Sequence, residues 1–231
     1  MTMLNDLPPL SGDLALPYRF RAAVGAAKGL AVLLHGVGSN ETSLAGLAAL
    51  LPADIAVALV RSPIAMGPAA FCAFPVSFTA AGPVIDGAAA EASRQKLAEF
   101  IGQLQAASGI PPSRTLVAGF SQGGIMSASL ALTRPELVAG FAILSGRILP
   151  EIGPLIAAPE ALAALHALVL HGVHDGTLPV AWAERSATLL ASLGVPFRKT
   201  LYAARHEISA DMATDFVTWA SGLLARPRAA D

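Results

Sequence analysis

Apolar runs alternate along the chain with longer amphipathic stretches, and the alternation predicts a strand–helix repeat. Residues 30–34, 55–60, 116–118, 138–144, 167–170 and 197–202 have the length of strands, and most of them are continuously apolar. Residues 43–51, 88–107, 122–132, 180–193 and 211–224 lie between or after them and have the length and pattern of helices. A strand that is apolar on both faces needs cover on both faces, so the repeat predicts an α/β fold around a mostly parallel sheet with helices on each side. Residues 18–24 alternate more loosely and suggest an antiparallel edge strand, while residues 157–164 read as a short surface helix. Asn40 or Thr42 is placed to cap the first helix, with Glu41 near its positive end. There is no internal repeat and no low-complexity linker. One domain over 17–225 is expected, with an extension at 1–16 and a tail at 226–231 that should fray.

One junction in this pattern carries chemistry. Gly119-Phe120-Ser121-Gln122-Gly123-Gly124 joins a predicted strand to a predicted helix. A serine caught between them must sit on a sharp turn, in backbone territory that costs a non-glycine residue roughly 1–3 kcal/mol. Gly119 and Gly123 have no Cβ and let strand and helix approach each other. The hydroxyl is then pushed out at the carboxyl edge of the sheet, where a nucleophile is useful.

A serine hydroxyl needs a base, and the base needs a carboxylate to hold its tautomer. In sheets with this elbow the chain order is serine, acid, histidine. Asp175 follows the strand 167–170 through a glycine turn, and His206 follows the next strand in the loop before the last helix. His35 precedes the elbow and breaks the order. His171 sits at a strand end, where packing or hydrogen bonding is the simpler role, and His174 is an exposed loop residue beside Asp175. An oxyanion also needs fixed N–H donors. The N–H of Gln122, next after the serine, is one. Val37, where the first apolar strand breaks at Gly36, offers the other.

Composition narrows the partners. Over 231 residues, 54% are hydrophobic and 13% charged, which allows a large core and rules out a disordered chain. A net charge of −1 without any dense Lys/Arg cluster argues against nucleic acid as a partner. The uncharged stretch 62–85 is broken by Pro63, Pro68, Pro75 and Pro83, so it does not read as an integral membrane segment. No secretory leader is recognisable at the start, and Cys72 is the lone cysteine; both suit a cytoplasmic protein. No ligand-spaced cluster of His, Cys, Asp or Glu calls for a metal, and the chemistry above needs no cofactor. The oligomeric state is left open, a homodimer included.

These motifs, with Leu34-His35-Gly36-Val37-Gly38, Leu144-Ser145-Gly146, His171-Gly172-Val173-His174-Asp175 and His206-Glu207-Ile208, run in order from about residue 30 to the C-terminus. Together they resemble the phospholipase/carboxylesterase branch of the α/β-hydrolases. The resemblance implies an α/β-hydrolase fold with no inserted lid domain, Ser121 as nucleophile, Asp175 as acid and His206 as base. It implies the N–H groups of Val37 and Gln122 as oxyanion donors, and a small-molecule ester as substrate. Two departures stand out: Ser39 where the branch often has Asp, and Ala70-Phe71-Cys72-Ala73-Phe74-Pro75-Val76-Ser77-Phe78 where it often has a Trp and a second aromatic. Phe71, Phe74 and Phe78, with Leu178, are therefore the expected contacts of a site for short to medium acyl chains. Thioesterase or lysophospholipase action on longer chains is the alternative, and a non-catalytic binding protein of the same fold is a distant third.

Overall fold

The computed structural model describes residues 7–79 and 82–226. In chain order the elements are β1 (Leu10–Ser11), β2 (Tyr18–Arg21), β3 (Gly29–Leu34), α1 (Ala45–Leu50), β4 (Ile55–Val60), β5 (Ile64–Gly67), β6 (Ala70–Cys72), β7 (Val76–Thr79), β8 (Gly82–Ile85) and α2 (Gly87–Ser108). They continue with β9 (Thr115–Phe120), α3 (Gln122–Thr133), β10 (Gly140–Leu144), α4 (Pro159–Leu162), β11 (His166–Gly172), α5 (Ala181–Ser192), β12 (Phe197–Tyr202) and α6 (Ala210–Leu224).

Eight strands form one sheet in the order β1-β2-β4-β3-β9-β10-β11-β12. All neighbours from β4 to β12 pair in parallel, and β1 and β2 add antiparallel at the other end. Side chains of β3 alternate between two apolar layers: Leu30, Val32 and Leu34 face α2 and α3, while Ala31 and Leu33 face α1 and α6. That double burial is why the central strands show no polar alternation. α3 is buried along residues 122–132, which accounts for a helix apolar on all sides. From β3 the chain moves outward to β4, then crosses back to β9 on the opposite side of β3. Connections that diverge this way open a crevice at the strands' carboxyl ends. Ser121 and Val37 both lie there. Among the described residues no helix is long and apolar enough to cross a membrane.

Three local expectations are corrected. The strand predicted at 18–24 is antiparallel but ends at Arg21, and β1 lies outside it, so it is not the edge. Neither Asn40 nor Thr42 caps α1, whose N-cap is Leu44. Asn40 Oδ1 instead accepts from Thr42 N and Oγ1, closing a turn earlier in the loop. Glu41 is not at a helix end: its carboxylate is buried and accepts from Arg19 Nε at 3.0 Å and Arg61 Nε at 2.7 Å. The proline-broken stretch forms two hairpins, β5–β6 and β7–β8: Pro63, Pro68 and Pro75 fall outside the strands, and Pro83 is tolerated within β8 because a two-stranded hairpin has only edge strands.

Candidate active site

The elbow is built by backbone contacts. Ser121 has φ 54° and ψ −118°, a strained setting for a residue with a side chain. Its N–H donates to Leu144 O on β10 at 2.8 Å, and its carbonyl accepts the first helical bond of α3 from Ile125 N. A β-carbon on Gly119 would stand 2.2 Å from Gly123 C, and one on Gly123 would stand 2.0 Å from Leu34 O. Only glycine fits at either position. Ser121 itself is 7% exposed, so its hydroxyl meets the surroundings through the crevice alone.

His206 joins the other two side chains. Its Nε2 lies 3.0 Å from Ser121 Oγ and its Nδ1 lies 2.7 Å from Asp175 Oδ2. Asp175 Oδ1 accepts from the N–H groups of Thr177 and Leu178 at 2.9 and 2.8 Å, which leaves Oδ2 aimed at the imidazole. With a carboxylate on Nδ1, the Nδ1–H tautomer is favoured and Nε2 is free to accept the hydroxyl proton. Phe120 supports the imidazole from the strand side, ring centroids 4.9 Å apart. His171 is fully buried and its Nε2–H donates to Leu178 O at 2.7 Å, tying the acid loop to β11. His174 is exposed and contacts this region through its backbone N–H, donated to Ala204 O.

Neither of the two N–H groups expected to bind an oxyanion, those of Val37 and Gln122, has an acceptor among the described residues. Gln122 opens α3, where no intrahelical acceptor exists. A β-carbon on Gly36 would stand 3.3 Å from Ser121 Cβ, so the Val37 loop touches the elbow. His35 holds that loop. Its Nδ1 donates to Gly36 O at 2.7 Å and its Nε2 accepts from Ser62 N at 3.0 Å. The Gly36 carbonyl and the Val37 N–H share one peptide plane, so this bond orients the donor. Burial lowers the pKa of His35, which keeps the ring neutral as both contacts require. Gln122 does a second job through its side chain: Oε1 accepts from Ala73 N and Nε2 donates to Phe74 O, each at 2.8 Å.

A cavity of about 530 Å³ opens beside Ser121 and His206, with apolar walls from Val37, Leu44, Phe120 and Ile208 and polar ones from Ser39, Ser43, Thr177 and Glu207. Of the residues expected as acyl contacts, Phe71, Phe74 and Leu178 are not among its lining. Phe74 is 1% exposed in the core under α2 and α3, because the Gln122 clamp draws its backbone inward. Phe71 is turned to Arg61, whose guanidinium lies 4.5 Å above its ring, and its backbone bridges Ser39. Leu178 enters through its peptide groups, bonded to Asp175 and His171. The Phe78 side chain lies outside the described residues. The wall residues Phe120 and Ile208 were legible as apolar neighbours of the serine and the histidine; Leu44 and Ser43, in the approach to α1, carry no such mark.

The carboxylesterase from Mesorhizobium loti is 24% identical and superposes with a TM-score of 0.81 over 93% of this chain and 98% of its own. Esterase PE8 is 28% identical, with a TM-score of 0.75 over 93% of this chain and 99% of its own. Acyl-protein thioesterase 1 of Emericella nidulans is 36% identical over 96 residues, 38% of this chain and 37% of that protein. Acyl-protein thioesterase 1 of Gibberella zeae is 32% identical over 102 residues, 43% of each chain. The matched part thus spans less than half the length of these curated relatives. The mostly parallel sheet with helices on both faces is the α/β-hydrolase fold. Residues 21–221 match the model of the phospholipase/carboxylesterase family, and the chain belongs to that family.

Proposed function

We propose that this protein is a serine hydrolase that cleaves carboxylic esters of short to medium acyl chains through an acyl-Ser121 intermediate. The observation that carries the reading is His206, bridging Ser121 Oγ at 3.0 Å and Asp175 Oδ2 at 2.7 Å. In the reaction, His206 Nε2 takes the Ser121 proton as Oγ bonds to the ester carbonyl carbon. The carbonyl oxygen becomes an oxyanion facing the N–H groups of Val37 and Gln122. His206 then gives its proton to the departing alcohol oxygen as the ester C–O bond breaks. Water repeats the sequence on the acyl-enzyme and releases the acid. Asp175 stays ionised throughout and stabilises the imidazolium.

Ser121→Ala removes only Oγ, so it should reduce hydrolysis of 4-nitrophenyl esters by about 10³-fold or more while the melting temperature holds or rises. Wild-type turnover in the folded variant would move the nucleophile elsewhere. The kinship with acyl-protein thioesterases supports a second reading, thioester cleavage by the same three residues. Matched oxygen esters and thioesters of graded chain length, compared by kcat/KM, separate the two.

A further inference from the structure

Glu41, Arg94 and Asp175 are buried ionised side chains, and each faces a partner of its own. Arg147 is different. It is 7% exposed, it makes no ion pair and no hydrogen bond among the described residues, and its Nε is buried there without an acceptor. The carbon of its guanidinium lies over the indole of Trp182, 4.3 Å from the ring centroid, and that of Arg185 lies 4.7 Å from the same centroid. Burying a cation without a paired anion is costly, and a guanidinium held over an aromatic ring is well suited to grip a planar carboxylate through two parallel N–H bonds.

The place matters as much as the charge. Arg147 follows Gly146, where a β-carbon would stand 2.8 Å from Ser121 O, so this turn backs directly on the elbow. On one side the Ser145 N–H donates to Leu170 O at 2.8 Å, and on the other the Ile148 N–H donates to Ser186 Oγ at 3.2 Å. Trp182 begins α5, just after the loop that holds Asp175 and contributes Thr177 to the cavity. Burial lowers the guanidinium pKa and Glu151 works in the opposite direction, yet arginine keeps its charge in proteins.

We propose that Arg147, presented by Trp182, binds a carboxylate carried by the ester substrate, making this enzyme selective for anionic esters. The proposal rests on the Ser121 hydrolase reading above and adds a substrate class to it. Two matched ester pairs test it. In one the acyl part carries the charge, 4-nitrophenyl hydrogen glutarate against 4-nitrophenyl pentanoate. In the other the alcohol part carries it, 4-acetoxybenzoate against 4-methylphenyl acetate. For at least one pair, Arg147→Met should lower the anionic-to-neutral ratio of kcat/KM by about tenfold or more, the loss expected for a charged hydrogen-bonded contact. Arg147→Lys should keep part of the ratio, and sodium chloride should lower it in the wild type. If Arg147→Met does not fold, the lysine variant and the salt series decide. Neutral esters cleaved with ratios unmoved by substitution and salt would overturn the Arg147 assignment alone. A wild type that cleaves none of the four esters would overturn the hydrolase reading, and this one with it.

Discussion

The side chain of Gln122 closes both of its hydrogen bonds on the backbone at Ala73 and Phe74, inside the protein. Gln122→Ala keeps the N–H beside Ser121 but strands a buried donor and a buried acceptor. The expected loss is about 2–4 kcal/mol of stability, read from urea unfolding. Phe74, held in the core by that clamp, should behave as a core residue: Phe74→Ala is expected to cost about 3–5 kcal/mol. Its chain-length preference, as a ratio of kcat/KM values, should stay that of the wild type; a selective gain on longer esters would return Phe74 to the acyl site. Ser121, Asp175 and His206 were legible because each follows a strand end and their order along the chain is constrained. The Gln122 clamp was not legible, since it depends on a loop some fifty residues earlier folding back over α3. Phe74 was misplaced for the same reason: a phenylalanine in a proline-rich segment looks like a loop contact until the segment's backbone is seen tied inward.

At the scale of elements, the loop between β3 and α1 carries the Val37 donor and is held by Glu41. Its carboxylate reaches Arg19 on β2 and Arg61 just after β4, both partly exposed. Burial pushes the Glu41 pKa up, but hydrogen bonds and charge from Arg61 and Arg19 outweigh it and hold the carboxyl at about 2. The folded value lies below the ordinary 4.5, so the stabilisation is complete above pH 4.5 and is lost as the pH falls from there toward 2. Glu41→Gln should cost about 2–3 kcal/mol at neutral pH, with the gap to wild type closing through that acid window. A gap that stayed constant down to low pH would dismiss the carboxylate as its source. The sequence pattern marked the strands and helices that bury whole faces, such as β4, α2 and α3. It missed β1 and the two hairpins, which are short, sit at the periphery and bury little of the apolar surface that makes a strand visible. It put Glu41 at a helix end because its partners are contributed by two distant strands.

Across the whole molecule, the sheet brings three segments separated by 54 and 31 positions to one edge: Ser121 after β9, Asp175 after β11 and His206 after β12. Parallel strands make this convergence automatic, because every carboxyl end lies on the same side. The crossover at β3 opens the crevice there, and α3, buried along its length, holds the strained serine against the sheet. The substrate side is less visible in the pattern, since the cavity walls come from loops whose paths local propensity does not set. The central claim is that Ser121 is the nucleophile activated by His206. Its most direct test is reaction of the intact protein with a fluorophosphonate, followed by peptide mass spectrometry and an ester assay on the same sample. One adduct on the peptide containing Ser121, formed in step with loss of hydrolysis and much more slowly in His206→Ala, is the result expected. Hydrolysis that persists in fully labelled protein, or an inactivating adduct on any other residue, would contradict it.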